Sequence, residues 1–418
     1  MTNMLRSAVA QSRPASRQPA AGAIAVCGAL ALASAMGIGR FAFTPLMPLM
    51  LHEGRIGLGF ASGLATANYL GYLVGALLCM VLPRAWPSAT IVKLGLIATA
   101  GLTVGMALPL PTAWLLLRFA SGVASAAVLV FVSEWCLARL ALRGRPSLGA
   151  AIYTGPGIGI ATSGFAATGM AALHWPAAAN WLVFGALAGL LALVIWPILS
   201  DPTPVPAAAS PQGQGAGAPA ETGPAVEMLI FAVAYGLAGF GYIVTATFLP
   251  VIARQALPGS AWLDLFWPIF GLATVVGCLV AIRTPKRIDP RLMLVGCYLT
   301  QATGVVLALF VPTVAGFVIG SLLAGLPFTA ITYFSMQEVR RLRPHHAARF
   351  IGLLTALYGL GQIAGPPFVS LVLARSRDQA HGFALALGVA SGALMLGAVL
   401  YGVMRARWSS HTSSAFQA

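Results

Sequence analysis

Long apolar runs separated by short polar breaks fill most of the chain. A helix needs roughly 20 mostly apolar residues to cross the hydrocarbon core of a bilayer. Runs of this length predict an all-α integral membrane protein with twelve transmembrane helices, numbered here as spans 1 to 12. The predicted spans cover residues 22–51, 57–82, 88–109, 112–138, 147–173, 177–199, 225–252, 260–282, 291–311, 313–338, 348–374 and 379–404.

Two segments indicate that the spans form two similar halves. Residues 37–50 read GIGRFAFTPLMPLM, and residues 239–252 read GFGYIVTATFLPVI. When the chain is shifted by 202 positions, helix-breaking residues coincide: Gly37 and Gly239, Gly39 and Gly241, Pro48 and Pro250, and Gly75 and Gly277. Two hydrophobic halves with matching breaks are typical of a duplicated membrane transporter. One matched position differs in kind, because Arg40 of the first half corresponds to Tyr242 of the second.

A segment of different composition separates the two halves. Residues 200–224 are rich in Pro, Gly, Ala and Gln and have no apolar period, which is typical of a flexible linker. The sequence therefore predicts an N-terminal tail, a six-helix bundle, a cytoplasmic linker, a second six-helix bundle and a C-terminal tail. Their predicted bounds are residues 1–21, 22–199, 200–224, 225–404 and 405–418.

The composition requires a lipid environment. The chain is 59% hydrophobic and only 8% charged, whereas soluble domains are about 25% charged. The net charge of +15 would suit nucleic acid. However, the basic residues lie between apolar spans, where the positive-inside rule places them, so we predict no nucleic-acid partner. The cysteines fall in or beside apolar runs without CxxC spacing, and we predict no metal and no cofactor.

The distribution of Lys and Arg predicts the orientation. If the N-terminus lies in the cytoplasm, most basic residues fall in inner segments, and the outer segments hold only Arg55, Arg254, Arg375 and Arg377. A bias of this kind sets the topology of membrane proteins. We predict a multi-pass protein of the inner (plasma) membrane with both termini cytoplasmic. The first apolar run continues to Leu51, longer than a cleaved signal needs, so the polar N-terminus is interpreted as an uncleaved tail.

Arg40 and Arg118 are the basic residues that lie well inside predicted spans. A charge at mid-bilayer costs about 2.5–3.5 kcal/mol on insertion scales and marks a functional site by default. Acids are absent from the middle of the spans, so carbonyls, water or an anion must compensate the two guanidiniums. Because Arg suits bidentate carboxylate binding, we predict that Arg40, Arg118 or both bind an anionic substrate, with Thr44, Asn68 and Tyr242 beside them. Further polar candidates for a cavity lining are Tyr69, Tyr153, Tyr333, Gln337, Tyr358 and Gln362.

A structural role is the alternative for the two arginines. Arg40 would cap carbonyls freed by Pro45 and Pro48, and Arg118 would brace spans 1 and 4. The sequence leaves both roles open.

Several motifs resemble those of the major facilitator superfamily. Two six-span halves with a long cytoplasmic middle loop fit its organisation, and GIGRFAFTPLMPLM with ANYLGYLVGALL at 67–78 resembles its YbfB/YjiJ family. Arg118, Gly122 and Ala126 are similar to the superfamily's RxxxGxxxA motif. This resemblance implies two halves related by a pseudo-two-fold axis, with spans 1, 4, 7 and 10 around a central cavity. It also implies a monomer.

The resemblance further implies a secondary active transporter that works by alternating access on a small organic solute. The intramembrane arginines favour an organic anion, and a multidrug or amphiphile exporter of the same fold is the alternative. The sequence carries no P-loop, so uphill transport requires a gradient. Protons are the usual coupling ion of the superfamily; coupling through Glu134 or a protonated substrate, and uniport, remain open. A membrane enzyme is disfavoured because no catalytic constellation lies in a span, and a non-transporting receptor because the tails are short.

Charges at span ends are candidates for gating or coupling. The loop after span 2 carries Arg84 but lacks the acid that the superfamily usually has there. Glu134, near the end of span 4, is a candidate partner for Arg84 or Arg145, and Glu338 occupies the corresponding end of span 10. For both glutamates, the alternative is a solvated charge at a helix end.

Glycine and proline residues in spans 5 and 11 predict helix bends. Gly155, Pro156 and Gly159 resemble a glycine–proline motif often seen in exporters, and Gly365 with Pro366 stands in span 11. Breaks in spanning helices often belong to moving parts. Close helix packing, which glycines spaced four apart also permit, is the alternative.

Overall fold

Each predicted apolar run forms helix in the computed structural model, which describes residues 19–81, 86–200, 224–260, 262–285, 287–343 and 347–408. Within these ranges, ten helices are long and apolar enough to cross a membrane. Helices also occupy the positions of spans 5 and 9. The predicted class, an all-α multi-pass membrane protein, is therefore confirmed.

The helices follow the predicted order. Those of the first half are Ala21–Leu32, Ala33–Arg40 and Phe43–His52 in span 1, then Leu58–Val81, Ser88–Gly105, Pro111–Leu142, Pro146–Thr154 with Gly155–Ala172 in span 5, and Ala177–Ile195. Those of the second half are Ala225–Ala256, Phe266–Arg283, Pro290–Phe310, Val314–Gly325 with Pro327–Leu342 in span 10, Ala347–Arg375, and Gln379–Arg407. The predicted linker lies almost entirely outside the described residues, so the division into two domains stays a prediction.

Two span starts differ from the prediction. Span 5 begins with a 3-10 helix, Pro146–Thr154, before its α-helix starts at Gly155. Span 8 begins at Phe266 instead of residue 260, because Gly259 has a φ of +78° and residues 262–265 form turns. Turns and 3-10 segments are common where helices begin, and apolar composition alone does not reveal them.

Glycine pairs bring neighbouring spans into backbone contact in the same way in both halves. Spans 1 and 5 meet at Gly37 and Gly159, where a Cβ added to Gly159 would lie 2.6 Å from the Gly37 Cα. Spans 7 and 11 meet at Gly239 and Gly361, where an added Cβ would lie 3.1 Å from the Gly239 carbonyl carbon. Small residues permit such close approach of helices in a membrane. The repeat detected in the sequence thus corresponds to a repeated packing contact.

The candidate site lies where spans 1 and 7 enter their most buried stretches. We call the side of the bundle where span 1 begins the near side, and the opposite side the far side. Residues 31–44 and 241–253 are all buried. Spans 2 and 11 and spans 5 and 8 pack across the two halves on either side of them.

Candidate functional site

A π-helical segment in span 1 sets the position of Arg40. The α-helix of span 1 ends at Leu32, and the π-helix Ala33–Arg40 follows it. Beyond Arg40, the Thr44 N–H donates to the Phe41 carbonyl at 3.1 Å, so the turn tightens just before Pro45. In a regular α-helix the Thr44 N–H would donate to the carbonyl of Arg40, four residues earlier. Because it donates to Phe41 instead, the Arg40 carbonyl is available to another donor. π-Segments inside helices frequently mark functional sites.

Arg118 satisfies the carbonyls that this segment frees. Its Nη1 donates to the Gly39 carbonyl at 3.0 Å, and its Nη2 donates to the Arg40 carbonyl at 2.8 Å. The Ser121 hydroxyl also donates to Gly39, at 2.9 Å. Arg118 thus caps two carbonyls of the π-helical segment and joins spans 1 and 4 in this conformation, as the alternative expects of Arg118.

Arg40 reaches across to the second half. Its Nη2 donates to the Gln362 side-chain oxygen at 2.6 Å. The Gln362 amide nitrogen in turn donates to the Tyr242 hydroxyl. Arg40 and Tyr242 occupy matched positions of the two repeats, so a single amide from span 11 connects the residue pair at which the repeats differ.

The side chains in contact with the Arg40 guanidinium are neutral, and most of them are aromatic. Its guanidinium carbon lies 3.9 Å from the ring centre of Tyr72 and 5.2 Å from that of Tyr69. Cation–π contacts of this kind stabilise a desolvated cation by about 2 kcal/mol. The Nε atom of Arg40 has no hydrogen-bond partner among the described residues. The site therefore holds a buried positive charge whose direct contacts here are neutral.

Further rings extend this surface along the second half. Tyr242 stacks on Tyr358, with ring centres 5.6 Å apart and planes 17° apart, and lies 4.9 Å from Phe328. Tyr358 also contacts Tyr235 at 4.9 Å. Tyr72 and Tyr358 are partly exposed. Together these rings form an aromatic surface beside Arg40, with the tyrosine hydroxyls as its polar atoms.

The remaining predicted residues also lie in this region. The Asn68 amide donates to the Arg118 carbonyl at 2.9 Å, and its own side-chain oxygen has no partner among the described residues. The Thr44 hydroxyl donates to the Ala246 carbonyl at 3.0 Å, on the far side of Arg40. Hydrogen bonds thus connect Arg40, Arg118, Asn68 and Tyr242, and Thr44 lies one helical turn beyond Arg40. Their contact with a substrate stays a prediction.

Two residues of the site escaped the sequence analysis in different ways. Gln362 appears there only as one polar candidate among several, because its sequence position does not reveal a bond to Arg40. Tyr72 was missed, although it belongs to the same run, ANYLGYL, as Asn68 and Tyr69. Its spacing of four from Asn68 places both residues on one helix face, which is the signal that could have found it.

Glu338 is not a solvated charge, and that interpretation is wrong. Glu338 and Glu227 are both fully buried and both bind Arg291. The Arg291 Nε lies 2.5 Å from a Glu338 carboxylate oxygen, and its Nη1 donates to the Met404 carbonyl at 2.9 Å. This network joins spans 7, 9, 10 and 12 inside the second half. The sequence does not indicate this network, because Arg291 follows a basic loop and Glu227 stands at the very start of span 7.

Among the described residues of the first half, apolar residues stand where this network would be. Ala25, Ala89 and Cys136 stand at the positions that match Glu227, Arg291 and Glu338. Ala89 and Cys136 belong to the buried apolar cluster of the first half. The two repeats therefore differ at their near-side ends as well as at Arg40 and Tyr242.

Glu134 lies apart from this network. Glu134 is exposed and accepts a hydrogen bond of 3.2 Å from the Ser88 hydroxyl. Arg84 lies outside the described residues. A gating role for Glu134, Glu338 and Arg84 stays a prediction.

The glycine–proline residues have packing contacts. A Cβ on Gly155 would lie 2.8 Å from the Leu32 Cβ, and Gly159 contacts span 1 as described above. Pro156 stands in the first turn of its α-helix, after the 3-10 segment. Gly365 packs against Ile243, and Pro366 lies within the continuous helix Ala347–Arg375. Their part in a motion stays a prediction.

Comparison with known proteins identifies the fold and the family. The family model described as "Uncharacterised MFS-type transporter YbfB" matches residues 32–402. A mutant of the nucleoside transporter NupG is similar, with a TM-score of 0.71 and 15% identity over 91% of this chain and 99% of that chain. A bacterial homologue of the human lysosomal transporter Spinster, inward-facing and occupied, has a TM-score of 0.65 and 12% identity over 94% and 97%. No curated protein matches the chain.

Proposed function

Since the chain belongs to the family of MFS-type transporters described by the name YbfB, we propose that it carries a small organic anion by alternating access. In this mechanism two half-bundles rock about a central site, which opens to one side of the membrane at a time. The anionic group of the substrate binds Arg40, and its body lies against the rings of Tyr72, Tyr242 and Tyr358.

The observation that carries the proposal is the buried charge of Arg40. Its side chain is 2% exposed, and its hydrogen bond goes to the neutral amide of Gln362. A buried charge is costly unless it is paired. Arg118 places a second buried positive charge beside Arg40, because its Nη2 donates to the Arg40 carbonyl. An anion supplies the counter-charge, and the planar guanidinium can donate two hydrogen bonds to one carboxylate.

Contacts between the two halves support access from the near side. On the far side of Arg40, hydrogen bonds join the halves from Thr44 to Ala246 and between Tyr69 and Thr247. On the near side of the site, Tyr72 and Tyr358 are partly exposed. With the orientation predicted from the basic residues, this conformation faces the cytoplasm of a cell whose inner membrane holds the protein.

Thermal unfolding of the purified protein in detergent tests the proposal. Carboxylates, phosphates, sugars, amines and lipophilic cations are added in turn to wild type and to Arg40→Gln. We expect one class of anions to raise the unfolding temperature of wild type and to have little effect on Arg40→Gln. Arg375→Gln is the matched control, because Arg375 is exposed at a helix end.

Flux of the selected anion into proteoliposomes completes the test. Uptake that Arg40→Gln abolishes and Arg375→Gln preserves supports the proposal. A thermal response restricted to cations or neutral amphiphiles would contradict it and would favour an exporter of amphiphilic compounds. Binding of an anion without flux would instead favour a receptor.

A further inference from the structure

A groove opens between the near-side ends of spans 9 and 12. It has a volume of about 330 Å³ and is lined by Leu292, Val295, Gly402, Arg405 and Ala406. Leu292 is 40% exposed, and a Cβ added to Gly402 would meet no atom within 4 Å. The groove therefore has apolar walls, an open floor and one cationic side chain at its rim.

Arg405 carries the positive charge at the rim of the groove. The Arg405 side chain is 50% exposed, and its Nε lies 3.8 Å from the Asp289 carboxylate, which is longer than a hydrogen bond. Asp289 already caps span 9, since its carboxylate accepts from the Arg291 N–H at 2.9 Å. Arg341 is paired with the buried Glu338 at 2.7 Å and also approaches Asp289, at 3.9 Å. Arg405 is the charged residue in the lining of the groove, and its distance from Asp289 leaves its guanidinium available to another partner.

We propose that this groove binds one anionic phospholipid. Its phosphodiester lies against Arg405, and an acyl chain runs past Leu292 and over Gly402 towards the bilayer centre. Three observations support this occupant: the groove opens on an exposed flank of spans 9 and 12, its walls are apolar, and its rim carries Arg405. Basic pockets between spanning helices are typical sites for anionic lipid headgroups. This inference does not depend on the substrate of the central site.

Native mass spectrometry of the full-length protein in detergent measures the proposed binding. The probes are phosphatidylglycerol and phosphatidylcholine with the same acyl chains. We expect the first phosphatidylglycerol to bind more tightly than the first phosphatidylcholine. Arg405→Gln should weaken phosphatidylglycerol about five-fold, the usual contribution of one basic residue near an anionic lipid. Gly402→Leu, which fills the groove but keeps Arg405, should weaken both lipids.

Two controls separate this site from general attraction of the protein to anions. Arg375→Gln removes one positive charge from the last turn of span 11 and should leave lipid binding unchanged. Glycerol phosphate, which carries the charge without acyl chains, should not displace the bound lipid. Equal binding of the two lipids to wild type, or equal weakening by Arg405→Gln and Arg375→Gln, would overturn the proposal. Displacement by glycerol phosphate would replace the lipid with a free phosphate ester as the occupant.

Discussion

The Thr44 hydroxyl donates to the Ala246 carbonyl at 3.0 Å, and the two residues, 202 positions apart, occupy the same place in the two repeats. When symmetry-related positions touch, the axis that relates them must pass between them. The pseudo-two-fold axis of the bundle therefore passes between spans 1 and 7 at this bond, on the far side of Arg40. A second bond, between the Tyr69 and Thr247 hydroxyls at 3.0 Å, lies beside it. Together they close the far side of the site.

Removal of the Thr44 hydroxyl should loosen this closure. Thr44→Val keeps the shape of the side chain but loses a hydrogen bond with a net value of about 1 kcal/mol, or roughly five-fold in population. The probe is Ala246→Cys in a background without the native cysteines, labelled by a membrane-impermeant thiol reagent applied from the far side. We expect this cysteine to react about five-fold faster when Thr44→Val is present than when Thr44 is kept.

Thr162→Val is the control for this experiment, because the Thr162 hydroxyl donates only to Ile158 of its own helix, at 2.8 Å. An unchanged labelling rate in Thr44→Val would mean that the bond does not hold the far side closed.

A carboxylate at position 362 should compete with the proposed substrate. Gln362→Glu places a charged oxygen next to Arg40 at the position where the amide oxygen now lies, at 2.6 Å from Nη2. Charge-assisted bonds are roughly twice as strong as neutral ones. We expect Gln362→Glu to raise the unfolding temperature without ligand and to abolish the response to anions. Gln362→Ala, which empties the position, should keep that response. If Gln362→Glu still responds to anions as wild type does, the anion does not bind at Arg40.

Arg40 and Arg118 should separate into a binding role and a bracing role. Arg118→Lys cannot donate to the Gly39 and Arg40 carbonyls in the same fork, and an unsatisfied buried carbonyl costs about 1–3 kcal/mol. We expect Arg118→Lys to lower the unfolding temperature more than Arg40→Lys does. Arg40→Lys should in turn reduce the response to anions more strongly. The opposite order in either measurement would exchange the two roles.

The sequence predicts the spans and the two buried arginines because both depend on strong local signals. An apolar run of some 20 residues has few alternatives to a spanning helix, and a charge inside such a run is conspicuous. The repeat also predicts matched positions correctly, as the Gly37–Gly159 and Gly239–Gly361 contacts show. Hydrogen-bond partners are different, because they depend on the tertiary arrangement. The bond from Arg40 to Gln362 joins residues 322 positions apart, and no local pattern indicates it.

Arg291 illustrates the same limit at a span end. It follows Pro290 and a basic loop, so its sequence context is that of a solvated charge. Only the packing of spans 7, 9, 10 and 12 brings Glu227 and Glu338 to it and removes all three from water.

This buried network gives the last prediction. Arg291→Ala leaves two carboxylates buried without their shared partner, and breaking a buried ion pair costs about 3–5 kcal/mol. The first half shows that the same place can be apolar, with Ala25, Ala89 and Cys136. We therefore expect the triple variant Glu227→Ala, Arg291→Ala, Glu338→Cys to unfold at a higher temperature than Arg291→Ala alone. Arg283→Ala, which removes an exposed charge from the end of span 8, is the control. Flux by the triple variant then decides whether Glu338 takes part in coupling: wild-type flux would leave the network a purely structural element of the second half.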